Sequence, residues 1–130
     1  MEKQEIRTFG RRHGKKLSAR QQWLVENLLP ELFPDTATDT DTILEIGFGA
    51  GEHLLELAIQ NPDAIIIGAE PYINGVASLL SKITRFRELE SKRVRDIIKP
   101  EYKNIRIWPD DIRKLFSILY SLFSVQNPNL

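Results

Sequence analysis

The sequence predicts an α/β fold: the N-terminal half of a doubly wound, mostly parallel sheet, preceded by a basic arm and a helix. Three observations carry this. Residues 41–58, DTILEIGFGAGEHLLELA, run a short apolar strand through alternating glycines into a helical pattern. Residues 64–70, AIIIGAE, are a continuous apolar run of the kind buried on both faces of a parallel sheet. Strand, glycine loop, helix and strand in that order make a βαβ unit.

The elements follow in chain order. Residues 1–17 lack apolar periodicity and read as a flexible basic arm, leaving 18–130 as the folded domain. Ser18 followed by Gln21 gives a capping-box pattern, and Trp23, Leu24, Leu28 and Leu29 place a helix near 19–29. Pro30 and Pro34 punctuate its end, and PDTATDTDT (34–42) is a polar linker. TILEI is the first strand, 52–60 a helix, Asn61-Pro62-Asp63 a turn, and 64–70 the second strand. A long helix is expected from about Asn74 to Ile98, with Glu88 and Lys92 at i,i+4 spacing. NIRIW (104–108) is a third strand and 112–123 a further helical segment, which completes about half of a doubly wound sheet.

Composition sets outer bounds. With 130 residues, 42% hydrophobic and 28% charged, the chain is one ordinary globular domain. It has no cysteine, so disulfides, thiolate chemistry and thiolate metal sites are excluded, in keeping with a cytoplasmic protein. The first residues have no apolar core of the signal-peptide type, and no stretch suggests a membrane span. No metal site is expected, since His53 has no second histidine nearby and reads as a surface or satisfied helix residue. The net charge is zero but unevenly spread. Residues 1–20 hold seven Lys/Arg against Glu2 and Glu5, whereas 31–63 hold eight acids and no Lys or Arg. A basic arm ahead of an acidic loop region suggests two different partners.

Gly47, Gly49 and Gly51 allow a tight turn and close approach of a ligand to the backbone. Such a loop serves several nucleotide-binding classes, so the carboxylates around it discriminate. Glu70 ends the second strand 19 residues after Gly51, where an acid accepts hydrogen bonds from ribose hydroxyls. Glu45, two residues before the first glycine, and Glu52, opening the helix, would repel the pyrophosphate that a dinucleotide places on a helix N-terminus. S-adenosylmethionine has no phosphate, and its sulfonium and ammonium suit an acid at the strand end. Asp110 or Asp111 closes the third strand at the same edge, where an acid could accept from an adenine amino group. The plainer readings stand beside these: Glu52 is a good first-turn helix residue, and an acid after a strand is often a turn residue.

FGRRHGKKLS followed by Gln21, then LEIGFGAGEHL, then GAEPYINGVASLLSKI, resembles the bacterial tRNA (guanine-N7)-methyltransferase family. The resemblance runs from about Arg7 to Ile83 and resumes at KNIRIWPDDIRKL, 103–115. It implies a Rossmann-like methyltransferase that transfers the methyl of S-adenosylmethionine to N7 of a guanine in the tRNA variable region. By position it implies cofactor contacts at Glu45, Gly47, Gly49, Gly51, Glu70 and, of the two aspartates, Asp111. It also makes Arg7, Arg11, Arg12, Lys15 and Lys16 contacts to the tRNA backbone; a solvated tail is the plainer account of the same charges.

The chain departs from the family twice. Residues 84–102 look like an insertion, and the family's Asp-Pro-Trp motif, which supplies the catalytic aspartate, has no counterpart here. No catalytic residue is therefore assigned. The chain is expected to be an incomplete copy, whose third strand or apolar tail (Leu115, Phe116, Ile118, Leu119, Tyr120, Leu122, Phe123) stays exposed. The alternatives are an inactive module that binds RNA or cofactor, and a nicotinamide-dinucleotide protein. Oligomeric state is not legible.

Overall fold

The computed structural model describes residues 14–35, 41–92 and 102–118, the side chains of 86–92 excepted. Its elements are α1 (Ala19–Asn27), a 3-10 turn (Leu29–Leu32), β1 (Thr42–Ile46), α2 (Glu52–Gln60), β2 (Ile65–Ala69), α3 (Ile73–Lys92) and β3 (Ile105–Trp108). Residues 112–118 are helical and follow β3. This is the α/β half-sheet the sequence predicts.

Local chemistry accounts for the boundaries. Ser18 Oγ accepts from Gln21 N, and the Gln21 side chain accepts from Ser18 N, so the capping box forms. The α-helix ends at Asn27 rather than near 29, and the chain tightens into the 3-10 turn with Pro30 inside it. That turn buries Leu29 and Leu32 in the core beside Leu24 of α1.

The three strands are parallel in the order β1-β2-β3, with Glu45 opposite Gly68 and Gly68 opposite Ile107. On one face Ile66, Ile105 and Ile107 are fully buried, in a cluster with Leu54 of α2 and Val76, Leu79, Leu80 and Ile83 of α3. Gly68 makes room there, because a Cβ would stand 2.7 Å from both Leu54 and Phe48 side chains. The opposite face is more open. Leu44 is 37% and Ile46 62% exposed, and Ile65 and Ile67 are only half-buried.

One expectation is corrected here. The 64–70 run is not buried throughout on both faces: Ile66 and Gly68 are buried on the helix-packed side, whereas on the other side Ala69 is buried but Ile65 and Ile67 are only half-buried. Among the described residues β3 pairs only with β2 and β1 only with β2, so both are edge strands; their faces differ, with Ile105 and Ile107 of β3 buried and Leu44 and Ile46 of β1 exposed. In the tail, Leu115 is buried, Phe116 and Ile118 are exposed, and Leu119, Tyr120, Leu122 and Phe123 lie outside the described residues. Much of the 84–102 segment, and the Glu88–Lys92 side chains, lie outside them too.

Candidate functional site

Parallel pairing brings the carboxyl ends of β1, β2 and β3 to one edge, and the hydrogen-bond ladder runs on past the strands. Gly47 N donates to Ala69 O at 2.7 Å, and Glu70 N to Trp108 O at 3.0 Å. The residues after each strand are thus held side by side, as an open α/β ligand site requires.

The loop from β1 to α2 has all three glycines in the left-handed region, at φ +73° for Gly47, +61° for Gly49 and +92° for Gly51. They serve different ends. A Cβ at Gly47 or Gly49 would meet no atom within 4 Å, so that surface is open to a ligand. A Cβ at Gly51 would stand 2.6 Å from the Leu79 side chain, so Gly51 instead seats the loop on α3. Gly75, at the start of α3, takes the Gly49 carbonyl so closely that a Cβ would lie 2.2 Å from its oxygen.

Glu70 organises this edge. Its Oε1 accepts from Gly49 N at 2.8 Å and its Oε2 from Tyr72 N at 3.1 Å. One carboxylate therefore ties the glycine loop to the entry of α3, and its oxygens still have acceptor capacity for a ligand hydroxyl. Glu45 lies mostly buried on the helix-packed face, and its Oε2 is 2.8 Å from His53 Nδ1 on α2. His53 is thus the satisfied helix residue expected.

Glu52 does open α2, but it is not a bare charge. Lys82 Nζ of α3 donates to Glu52 Oε1 and to Ala50 O, each at 2.8 Å. The Lys82 hydrogen bond, with help from the residue's own N–H, holds the Glu52 carboxyl below its usual range. The case against a phosphate at this helix end consequently rests on Glu45 more than on Glu52.

After β3, Trp108 Nε1 donates to Asp111 O at 2.8 Å and fixes the turn. Asp111 Oδ1 accepts from Arg113 N at 2.8 Å and so caps the helical turn at 112–118. Arg113 Nε lies 3.0 Å from both Asp111 oxygens, with Nη2 also on Oδ2. The guanidinium holds the Asp111 carboxyl well below its usual range, at about 2. At Asp110, burial opposes ionisation, but the Asp111 N–H and Lys114 at 3.0 Å outweigh it and the pKa falls. Asp111 thus reaches the common edge with its carboxylate turned to Arg113.

Lys15 and Lys16 are exposed, and Arg7, Arg11 and Arg12 lie outside the described residues. The arm departs from the expected free tail at its last residues. Gly14 N donates to Asn74 Oδ1 at 2.8 Å, and Asn74 Nδ2 donates to Lys15 O at 2.6 Å. Asn74 and Tyr72 were not assigned a role from sequence, although both lie in GAEPYINGVA; nothing local signals a partner some sixty residues away. Among the described residues no group of His, Cys, Asp and Glu could hold a metal ion, and no helix is long and apolar enough to cross a membrane.

A family model described as "Putative methyltransferase" matches residues 39–127, which include the loop and all three strand ends. Curated relatives named tRNA (guanine-N(7)-)-methyltransferase are also similar. That of Rhodopseudomonas palustris is 40% identical over 122 residues, covering 84% of this chain and 41% of the relative. That of Neorickettsia sennetsu is 35% identical over 129 residues, covering 93% and 53%. That of Paramagnetospirillum magneticum is 38% identical over 127 residues, covering 87% and 48%. The chain spans about half the length of the curated relatives it matches.

Proposed function

We propose a function from one premise: the chain belongs to this methyltransferase family. The reading is that it binds S-adenosylmethionine at the β1-β2-β3 edge and serves methyl transfer to N7 of a guanine in the tRNA variable region. The observation that carries it is the placement of Glu45 and Glu70 around a glycine loop whose outer surface is open at Gly47 and Gly49. That donor set fits a ligand with ribose hydroxyls and cationic groups and no phosphate on the helix N-terminus. Gly51 would shape the loop rather than touch the ligand. Asp111 would meet the adenine side of the ligand, with Arg113 sharing its carboxylate.

When bound, S-adenosylmethionine supplies an electrophilic methyl group on a sulfonium. Guanine N7 carries an unprotonated lone pair, so its attack on that methyl would need no general base from the chain. What the chain must contribute is position. Glu70, by gripping the Gly49 and Tyr72 amides, holds the loop in one geometry before ligand arrives. The basic arm, with Lys15 and Lys16 exposed, would attract the tRNA backbone, and the target base must be turned out of its stack to reach the edge.

The alternative is a module that binds cofactor or RNA without turnover. Calorimetric titration with S-adenosylmethionine, with NAD as control, tests the first. Saturable binding weakened at least about tenfold in Glu45→Gln and Glu70→Gln, with NAD silent, supports the donor site. NAD binding without S-adenosylmethionine binding overturns it. Transfer of labelled methyl to a tRNA transcript then separates turnover from binding alone.

A further inference from the structure

The clamp on the arm is the strongest feature that the donor site does not use. Asn74 sits in the first turn of α3, four residues after Glu70, at the edge that carries the glycine loop. Its amide oxygen takes the Gly14 N–H and its amide nitrogen gives to the Lys15 carbonyl, so one planar group grips two successive peptide units. Tyr72 closes the other side. A Cβ on Gly14 would lie 2.1 Å from Tyr72 Oη and 3.1 Å from its Cζ, so a side chain there would have to displace the Tyr72 hydroxyl. Through Tyr72 N and Gly49 N on Glu70, the held arm and the glycine loop share one hydrogen-bonded frame.

The grip is on backbone, and the Lys15 and Lys16 side chains stay exposed. This is the arrangement that turns a pair of cations into a directed site. Lysines on a free tail attract phosphate but do not place it. Lysines on an anchored main chain place it at a fixed distance from the anchor.

We propose that Asn74 is a positioning residue, clamping the arm at Gly14 and Lys15 so that Lys15 and Lys16 meet tRNA phosphates beside the methyl-donor edge. The inference rests on the tRNA reading above and adds the residue that orients the RNA contact.

The test is tRNA binding by the full chain, as log Kd against log salt, together with amide hydrogen exchange at Gly14. Lys15→Ala/Lys16→Ala weakens binding on the order of tenfold and lowers the salt slope by about two. Asn74→Leu removes no charge, yet produces most of both effects and abolishes protection of the Gly14 amide. Adding Asn74→Leu to the lysine pair costs little more, because the clamp acts through those lysines. Gly14→Ala, which leaves α3 intact, reproduces Asn74→Leu, and Tyr72→Phe in the same chain restores binding in part by removing the obstructing Oη.

An unchanged salt slope in Asn74→Leu, or losses that simply add, overturns the clamp while leaving tRNA binding in place. Failure of the unaltered chain to bind tRNA overturns the tRNA reading and this proposal with it, and the Gly14 exchange rate then shows whether the clamp itself forms.

Discussion

Arg113 occupies both carboxylate oxygens of Asp111, and the acid stays ionised down to about pH 2. The sign of the linkage follows from that depression. A carboxyl whose folded pKa lies below its ordinary value stabilises the fold above the ordinary pKa, and that contribution is lost as pH falls toward the folded one. Arg113→Ala should therefore move the Asp111 titration up toward the ordinary carboxylate value of 3.8, read by carboxyl NMR, and bring acid fraying of the 112–118 turn to higher pH. An unmoved titration would mean that the backbone cap, not the guanidinium, sets the acidity. The residue scale also shows how far the sequence could be read. Glu45, Glu70 and Asp111 stood out as acids within three positions of a strand end, and the structure brings all three to one edge. Not every partner stood out: Lys82, which pairs with Glu52, looks like a solvated charge in the sequence, because that pairing depends on which helix lies beside which.

At the scale of elements, capping and loop chemistry were legible because they are local. Ser18→Ala should cost about 1 kcal/mol in a urea unfolding curve, the usual loss for an N-cap whose hydroxyl is replaced. Gly51→Ala should cost more than that, since φ +92° disfavours any Cβ and the new atom would press on Leu79. Cofactor titration of the same variant should show weaker binding, as the loop lifts from α3. Asn104 belongs to the other kind of element chemistry. Its Nδ2 lies 3.1, 3.0 and 3.1 Å from the carbonyls of Ala58, Asn61 and Ala64, and so fastens the end of α2 and the following turn to the start of β3. In the sequence it is one polar residue at the start of the expected third strand, and its acceptors lie some forty residues away. Asn104→Ala should cost about 1–3 kcal/mol by leaving those part-buried carbonyls without their donor. A change under about 0.5 kcal/mol in the same curve would mean that water replaces the amide.

Across the whole molecule, the two faces of the sheet are unequal, and the order of elements accounts for it. Helices α2 and α3 each connect neighbouring parallel strands, and the cluster of buried residues joins both to Ile66, Ile105 and Ile107. The 3-10 turn contributes Leu29 and Leu32 to the same cluster, so the folded segment before β1 reinforces the side already covered. The apolar run at 64–70 is symmetric in the sequence, and period-two alternation cannot say which face receives the helices. This asymmetry has a measurable consequence. Ile66→Ala, at 0% exposure, should destabilise the chain by about 2–5 kcal/mol through lost burial and the cavity left behind. Leu44→Thr, at 37% exposure on the other face, should stay within about 0.5 kcal/mol and should raise the concentration at which the chain remains monodisperse in light scattering. Comparable losses at both positions would mean that the β1 face is covered in solution by another surface, and a concentration-dependent midpoint for Leu44→Thr would identify that surface as a second copy of the chain.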